Sequence, residues 1–343
     1  MKKFLSIAIA IIMVAGVLFL VGCDKGPEES KKDAVDTVKF GMGVVAAYGD
    51  AKDASDEGNG EGEVVVNVAA VLVDKDGKIV KCVLDCADNK AQYTTEGLAV
   101  EAGEFKTKYE LGNDYNMVTY GGSKLEWFAQ ADAFASLVAG KTIEEVKALV
   151  AEDGKGTADV VNAGCTITIT DFVKSVEAAV ANAADSKATA DATLKLGIVT
   201  SQSNKDATDE ANGEIELSTT VVATALDAEG KVIVASTDVA LGKLAFDTKG
   251  VSATDTTAAI VTKKAAGADY GMAAYGNDLN NDGVVKEWNE QGAAFDAALA
   301  GKNATEIGAL AVETGYGAAD LQTAGCTIHV GDMVKAAVKA ATK

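Results

Sequence analysis

The apolar positions of this chain fall into two kinds of run. Residues 64–73 are almost continuously apolar and rich in valine, which predicts a buried strand. Asp74, Lys75, Asp76 and Gly77 interrupt the run. Glycine tolerates the positive φ of a tight turn, so residues 78–85 are expected to return as the partner strand of a hairpin. The same pattern recurs over residues 215–238, with the turn at 227–230. Residues 37–40 begin an edge-type strand, and 50–62 read as a polar, glycine-containing loop. Farther along, apolar residues at 127, 128, 131, 134, 137 and 138 have helical spacing. Thr142, with Glu145 three positions on, forms a capping box that opens a second helix reaching Val150. Residues 107–122, rich in glycine and tyrosine, predict a loop. Residues 165–170 alternate strictly, which predicts a half-buried strand with Cys165, Ile167 and Ile169 on one face and the threonines on the other. Phe172, Val173, Val176 and Val180 then mark a helix. The expectation is an α+β unit, an antiparallel sheet with inserted helices and a C-terminal helix.

That unit is present twice. Residues 53–61 and 206–214 are identical at seven of nine positions. Gly112, Asp114, Tyr115, Met117, Tyr120 and Gly121 match Gly267, Asp269, Tyr270, Met272, Tyr275 and Gly276, and Glu126-Trp127 matches Glu287-Trp288. The offset grows from 153 residues early to 161 late, so small insertions separate the copies. A period this long means two whole units rather than a solenoid. The reading is a first repeat over 37–182, a small polar linker over 183–190 and a second repeat over 191–343.

Composition changes the picture at the ends and in the charge. Lys2 and Lys3 precede an apolar run from Phe4 to Val21, followed by Gly22 and Cys23. This resembles a bacterial lipoprotein signal over 1–22, whose cleavage would leave Cys23 as the lipid-bearing first residue. The resemblance implies attachment to the membrane through Cys23, a charged tether over 23–36 and a location on the extracellular face of the cell membrane. Net charge is −20 and every basic residue is lysine, which argues against nucleic acid as a partner. Cys82 and Cys86 would lie on one face of a strand about 13 Å apart, too far for a disulfide.

Near the end of each repeat stands the same run, Ala163-Gly164-Cys165-Thr166 and Ala324-Gly325-Cys326-Thr327, with Asp159 or Asp320 seven residues before the threonine. Taken with the hairpin and the helix that follows, the run resembles the FMN-binding domain family. That family carries Asp-x-x-Ser/Thr-Gly-Ala-Thr, and a flavin transferase esterifies FMN phosphate onto its threonine. Here cysteine stands in the alanine position and the spacing is one residue longer. The resemblance implies FMN, covalent or non-covalent, at Thr166 and Thr327. Gly164, Cys165, Gly325 and Cys326 would stand beside it, and a membrane redox partner would exchange electrons with it. The residues alone leave open a half-buried strand without any cofactor.

Two further features carry candidate chemistry. The loops holding Tyr115 and Met117, and Tyr270 and Met272, could stack on a planar ligand. Asp278, Asn280 and Asp282, with Gly283 at the turn and Glu287 beyond, space oxygen atoms as a calcium loop does, although the twelfth position is Asn289. No nucleophile–histidine–acid set or phosphate-binding glycine loop occurs, and His329 is the single histidine. The functional expectation is a tethered surface lipoprotein relaying electrons through flavin. The alternative is a non-enzymatic lipoprotein that binds a small molecule or a partner.

Overall fold

The computed structural model describes residues 36–275 and 286–342. The first repeat opens with three long antiparallel strands, β1 (Thr37–Lys52), β2 (Gly60–Val73) and β3 (Ile79–Tyr93). Then come five helices, α1 (Lys108–Leu111), α2 (Trp127–Val138), α3 (Ile143–Lys147), α4 (Ala158–Ala163) and α5 (Thr170–Ala181). A short strand, β4 (Ala184–Thr189), leads into the second repeat. Its strands are β5 (Thr193–Lys205), β6 (Gly213–Leu226) and β7 (Val232–Phe246). Its helices are α6 (Lys263–Ala266), α7 (Met272–Tyr275), α8 (Trp288–Leu299), α9 (Ala304–Gly308), α10 (Ala319–Thr323) and α11 (Gly331–Ala341). The sheets run in the orders β3-β2-β1-β4 and β5-β6-β7, so the α+β, two-repeat architecture is present.

The two sheets pack face to face. One core joins Val64, Val66, Val68 and Leu72 of β2 to Ile215, Leu217, Val221 and Ala223 of β6. The opposite face of each sheet is covered by that repeat's own helices. Val71, Phe134, Val160 and Val176 form one such core, and Val222, Phe295, Leu321 and Val334 form the other. The order of layers is therefore helices, sheet, sheet, helices. This is why β2 reads as a continuous apolar run, since alternate residues face a sheet on one side and helices on the other and none faces water.

The repeated polar segment 53–61/206–214 fastens the repeats to each other. Ala54 N donates to Gly250 O and Ala207 N to Gly97 O, both at 2.8 Å. Asp53 Oδ1 accepts from Ser252 N at 2.8 Å, and Asp206 Oδ1 accepts from Ala99 N at 2.9 Å. Tyr93 stacks on its own repeat counterpart, Phe246, with centroids 4.7 Å apart and planes 3° from parallel. Reciprocal contacts of this kind are those of a two-fold dimer, here made within one chain.

Several local expectations hold and several change. Gly77 and Gly230 turn the hairpins at φ 78° and 83°. Asp74 Oδ1 fixes its turn by accepting from Asp76 N and Lys78 N, each at 2.9 Å. The Thr142–Glu145 capping box is present, but α3 ends at Lys147 rather than Val150. The strand that starts at Thr37 is interior rather than an edge, because β4 pairs with it. That pairing converts the expected 183–190 linker into sheet: Lys39 faces Asp185 and Phe40 faces Ala184. The expected strand over 165–170 joins no sheet. It is an extended link with one bridge, Lys155 to Thr168, and Thr170 already opens α5. Its alternation survives in burial, because Cys165 and Ile169 enter the helix-covered core while Thr166 and Thr168 stay outside. The 107–122 loop contains α1, capped by Thr107 and Glu110, and a 3-10 turn over Gly112–Tyr115. The lipoprotein signal, Cys23 and the Asp278, Asn280 and Asp282 positions lie outside the described residues.

Candidate functional site

The repeated motifs converge on a residue whose importance the pattern of apolar positions hides. Gln130 sits one turn into α2, and it is fully buried. Its Nε2 donates to Ser123 Oγ and Leu125 O, both at 2.9 Å, and lies 3.5 Å from Met117 Sδ. Its Oε1 accepts from Thr166 N at 2.8 Å and from Thr166 Oγ1 at 3.0 Å. Gln291 repeats the arrangement in α8. Thr327 N and Oγ1 donate to Gln291 Oε1 at 2.8 and 3.0 Å, and Gln291 Nε2 reaches Lys286 O at 3.1 Å and Met272 Sδ at 3.5 Å. The network sets each amide's orientation, because the carbonyl oxygens accept and the nitrogen must be the donor. Each threonine hydroxyl hydrogen is then committed inward. Thr166 is exposed and Thr327 half-buried, and each Oγ1 keeps its acceptor lone pairs.

The glutamate before each tryptophan holds the tyrosine/methionine loop. Glu126 accepts from Met117 N at 2.8 Å and Val118 N at 3.1 Å, and Glu287 accepts from Met272 N at 2.9 Å and Ala273 N at 3.2 Å. Glu287 was a candidate calcium ligand. Its counterpart Glu126 performs the same task in a repeat that lacks the Asp278 segment, so loop anchoring accounts for the glutamate in both places. Among the described residues no cluster of three metal-ligating side chains occurs.

The glycines serve the turn. Gly164 and Gly325 adopt φ 107° and 100°, and Gly164 closes α4. A Cβ on Gly164 would stand 3.3 Å from Leu125, and one on Gly325 would meet Lys286 Nζ. The second turn thus has an ammonium group beside it where the first has an apolar side chain. Cys165 and Cys326 are fully buried, and burial pushes both thiols up to about 11, which disfavours the thiolate at neutral pH. Asp159 and Asp320 lie in the first turns of α4 and α10. Lys108 Nζ and Lys263 Nζ each lie over one face of the Tyr115 and Tyr270 rings, respectively, 5.2 Å from the centroid.

Comparison with family models, with curated proteins and with solved structures found no match for this chain.

The Gly-Cys-Thr run and the tyrosine/methionine loop, read as two separate candidates, are therefore one construction joined through a glutamine. Its sequence signal was available. Gln130 falls on the apolar stripe of α2, three residues after Trp127, and the same Trp-x-x-Gln recurs at 288–291 between diverged neighbours. A polar residue repeated on a buried stripe calls for a partner, because an unsatisfied buried amide is costly.

Proposed function

We propose that the chain is a membrane-tethered carrier with two stations, and that each station holds a flavin at its Gly-Cys-Thr turn, with Thr166 and Thr327 as the attachment residues. The observation that supports this reading is the glutamine clamp. In both repeats it fixes the threonine, whose backbone N–H bond to the glutamine would remain when the hydroxyl gives up its hydrogen to a phosphoryl ester. The residues fit such a group unequally. Lys286 stands beside the second turn and would offset phosphate charge there, whereas Leu125 stands beside the first. The first turns of α5 and α11, which begin four residues after each threonine, have no side-chain cap, so their N–H groups remain available as donors. A bound flavin would supply one- or two-electron relay. The chain would contribute attachment, orientation and, through Cys23, tethering at the extracellular face of the membrane.

Intact mass and flavin fluorescence of the full chain, co-expressed with a flavin transferase, test this directly. Two FMN adducts are expected, one lost in Thr166→Ala and the other in Thr327→Ala. Gln291→Leu should reduce modification at Thr327 while leaving Thr166 modified. An unmodified, colourless protein would remove the flavin reading and leave the non-enzymatic binding lipoprotein in its place.

A further inference from the structure

The second repeat has a half-open cavity of about 150 Å³ between its sheet and the start of α11, lined by Ser218, Thr220, Val239, Lys263, Trp288, His329, Asp332 and Met333. Thr327 is not among its walls, so it stands apart from the proposed attachment residue. The first repeat places Val65, Asn67, Cys86, Lys108, Trp127, Thr168, Asp171 and Phe172 at the equivalent positions. Lysine, tryptophan and aspartate are kept, and the surroundings differ in one consistent direction.

The lysine shows this most clearly. Lys108 in the first repeat is paired with Asp88 at 3.4 Å. The residue equivalent to Asp88 in the second repeat is Leu241. Lys263 accordingly forms no ion pair among the described residues; its ammonium lies only over the Tyr270 ring. The floor of the cavity has changed as well. Val65 is replaced by Ser218 and Asn67 by Thr220, which puts two hydroxyls on adjacent alternate positions of β6. Thr220 is 4% exposed and lines the cavity, and its hydroxyl, which makes no side-chain hydrogen bond among the described residues, is open to a partner there.

The remaining walls favour negative charge. Helix α11 runs for eleven residues, and its N-cap, Val330, provides no side-chain hydrogen bond. Asp332 and Met333 of its first turn line the cavity, so its uncapped N–H groups and the positive end of its dipole lie at this end of the site. Asp332 is the one carboxylate in the walls, and Lys335 takes it up at 2.9 Å. His329 engages Thr314 O at 3.1 Å.

We propose that this cavity is a binding site for a small oxyanion, a carboxylate or phosphate group, held by the Lys263 ammonium, the Ser218 and Thr220 hydroxyls and the first-turn amides of α11. The Trp288 indole forms its apolar wall. The site belongs to the second repeat alone, because Asp88 occupies the lysine of the first. It does not depend on flavin at Thr327.

Calorimetric titration of the unmodified full chain with sodium phosphate, sodium sulfate and sodium acetate tests the assignment. At least one of these should bind saturably at one equivalent, with quenching of Trp288 fluorescence. Phosphate against acetate then identifies a tetrahedral or a planar group. Lys263→Met should weaken binding at least about tenfold, a difference of about 1.4 kcal/mol. Leu241→Asp, which writes the first repeat's ion pair into the second, should abolish binding with the circular dichroism spectrum unchanged. Lys108→Met should leave binding as in the parent chain. Absence of saturable binding of all three anions up to about 10 mM, a Kd range worth less than about 3 kcal/mol, would overturn the assignment. So would undiminished binding in both Lys263→Met and Leu241→Asp.

Discussion

The inner and outer faces of the two sheets have kept different things. On the inner face, where repeat meets repeat, the contacts are reciprocal: Asp53 with Ser252 and Asp206 with Ala99, Tyr93 against Phe246. On the outer face the two copies share a scaffold and differ in the charges placed on it. The glutamine clamp, the glutamate anchor and the tryptophan are common to both. Around them both copies pair a strand lysine with a strand glutamate, Lys90 with Glu63 and Lys243 with Glu216, but the first adds Asp88 on Lys108 where the second has Leu241 and a lysine without an ion pair among the described residues. Elsewhere Leu84 and Ala135 of the first repeat become Thr237 and Asp296 of the second, joined by a 2.5 Å hydrogen bond. A face that must fit a copy of itself constrains both copies together, because a change in one alters the partner of the other. A face covered by its own helices can change one copy at a time.

The inner face is where a single substitution should cost most. Tyr93→Ala or Phe246→Ala removes a fully buried ring from the shared core and should lower stability by about 3–5 kcal/mol. Urea unfolding should then show both repeats lost in one transition. A repeat that unfolds separately would show that the inter-sheet core does not couple them.

A smaller effect should appear in the pH dependence. Asp85 supports the start of α1, accepting from Cys86 N at 2.7 Å and Tyr109 N at 3.2 Å, and burial pushes its carboxyl up to about 7. A raised folded pKa means that the native state holds a proton which the unfolded chain has already lost. Stability from this group therefore falls as pH rises from about 4 to about 7 and is level above that. The change should be on the order of 2–4 kcal/mol, and Asp85→Asn should flatten it in denaturation midpoints measured across that range. In the second repeat Asp238 is raised for the same reason, with Thr262 and Lys264 N donating to it. An unchanged pH profile in Asp85→Asn would show that the carboxyl is not protonated in the native state.

The outer-face difference can be tested with one substitution made twice. Lys108→Met leaves Asp88 without its cation next to Glu63, whose carboxyl is already pushed up to about 7 by its hydrogen bond to Asp88 and by burial. The expected loss is about 1–3 kcal/mol, discounted for the partial exposure of the pair. Lys263→Met removes an unpaired cation and should cost less than about 0.5 kcal/mol. Thermal melts of the two variants compare these values directly, and equal losses would contradict the reading of Lys263 as unpaired.

The hairpins, their turns, the Thr142 cap, the duplication and the α+β class were legible in the residues, because each rests on local chemistry: period-two burial, a glycine at positive φ, a hydroxyl next to free amides. The Gly-Cys-Thr threonines and the tyrosine/methionine loops were legible as repeated motifs, and nothing local said that they touch. Tertiary structure decided four things. It made residues 184–189 a strand, since β1 offered an edge that small polar residues could pair with. It kept residues 165–170 out of the sheet, since α5 takes over at Thr170. It stacked the two sheets on each other, which a chain pattern with both strand faces apolar permits without saying what covers them. It also brought Gln130 to Thr166 and Gln291 to Thr327 across 36 positions. Contacts at that separation depend on where whole elements pack, and residue periodicity carries only the faces they present.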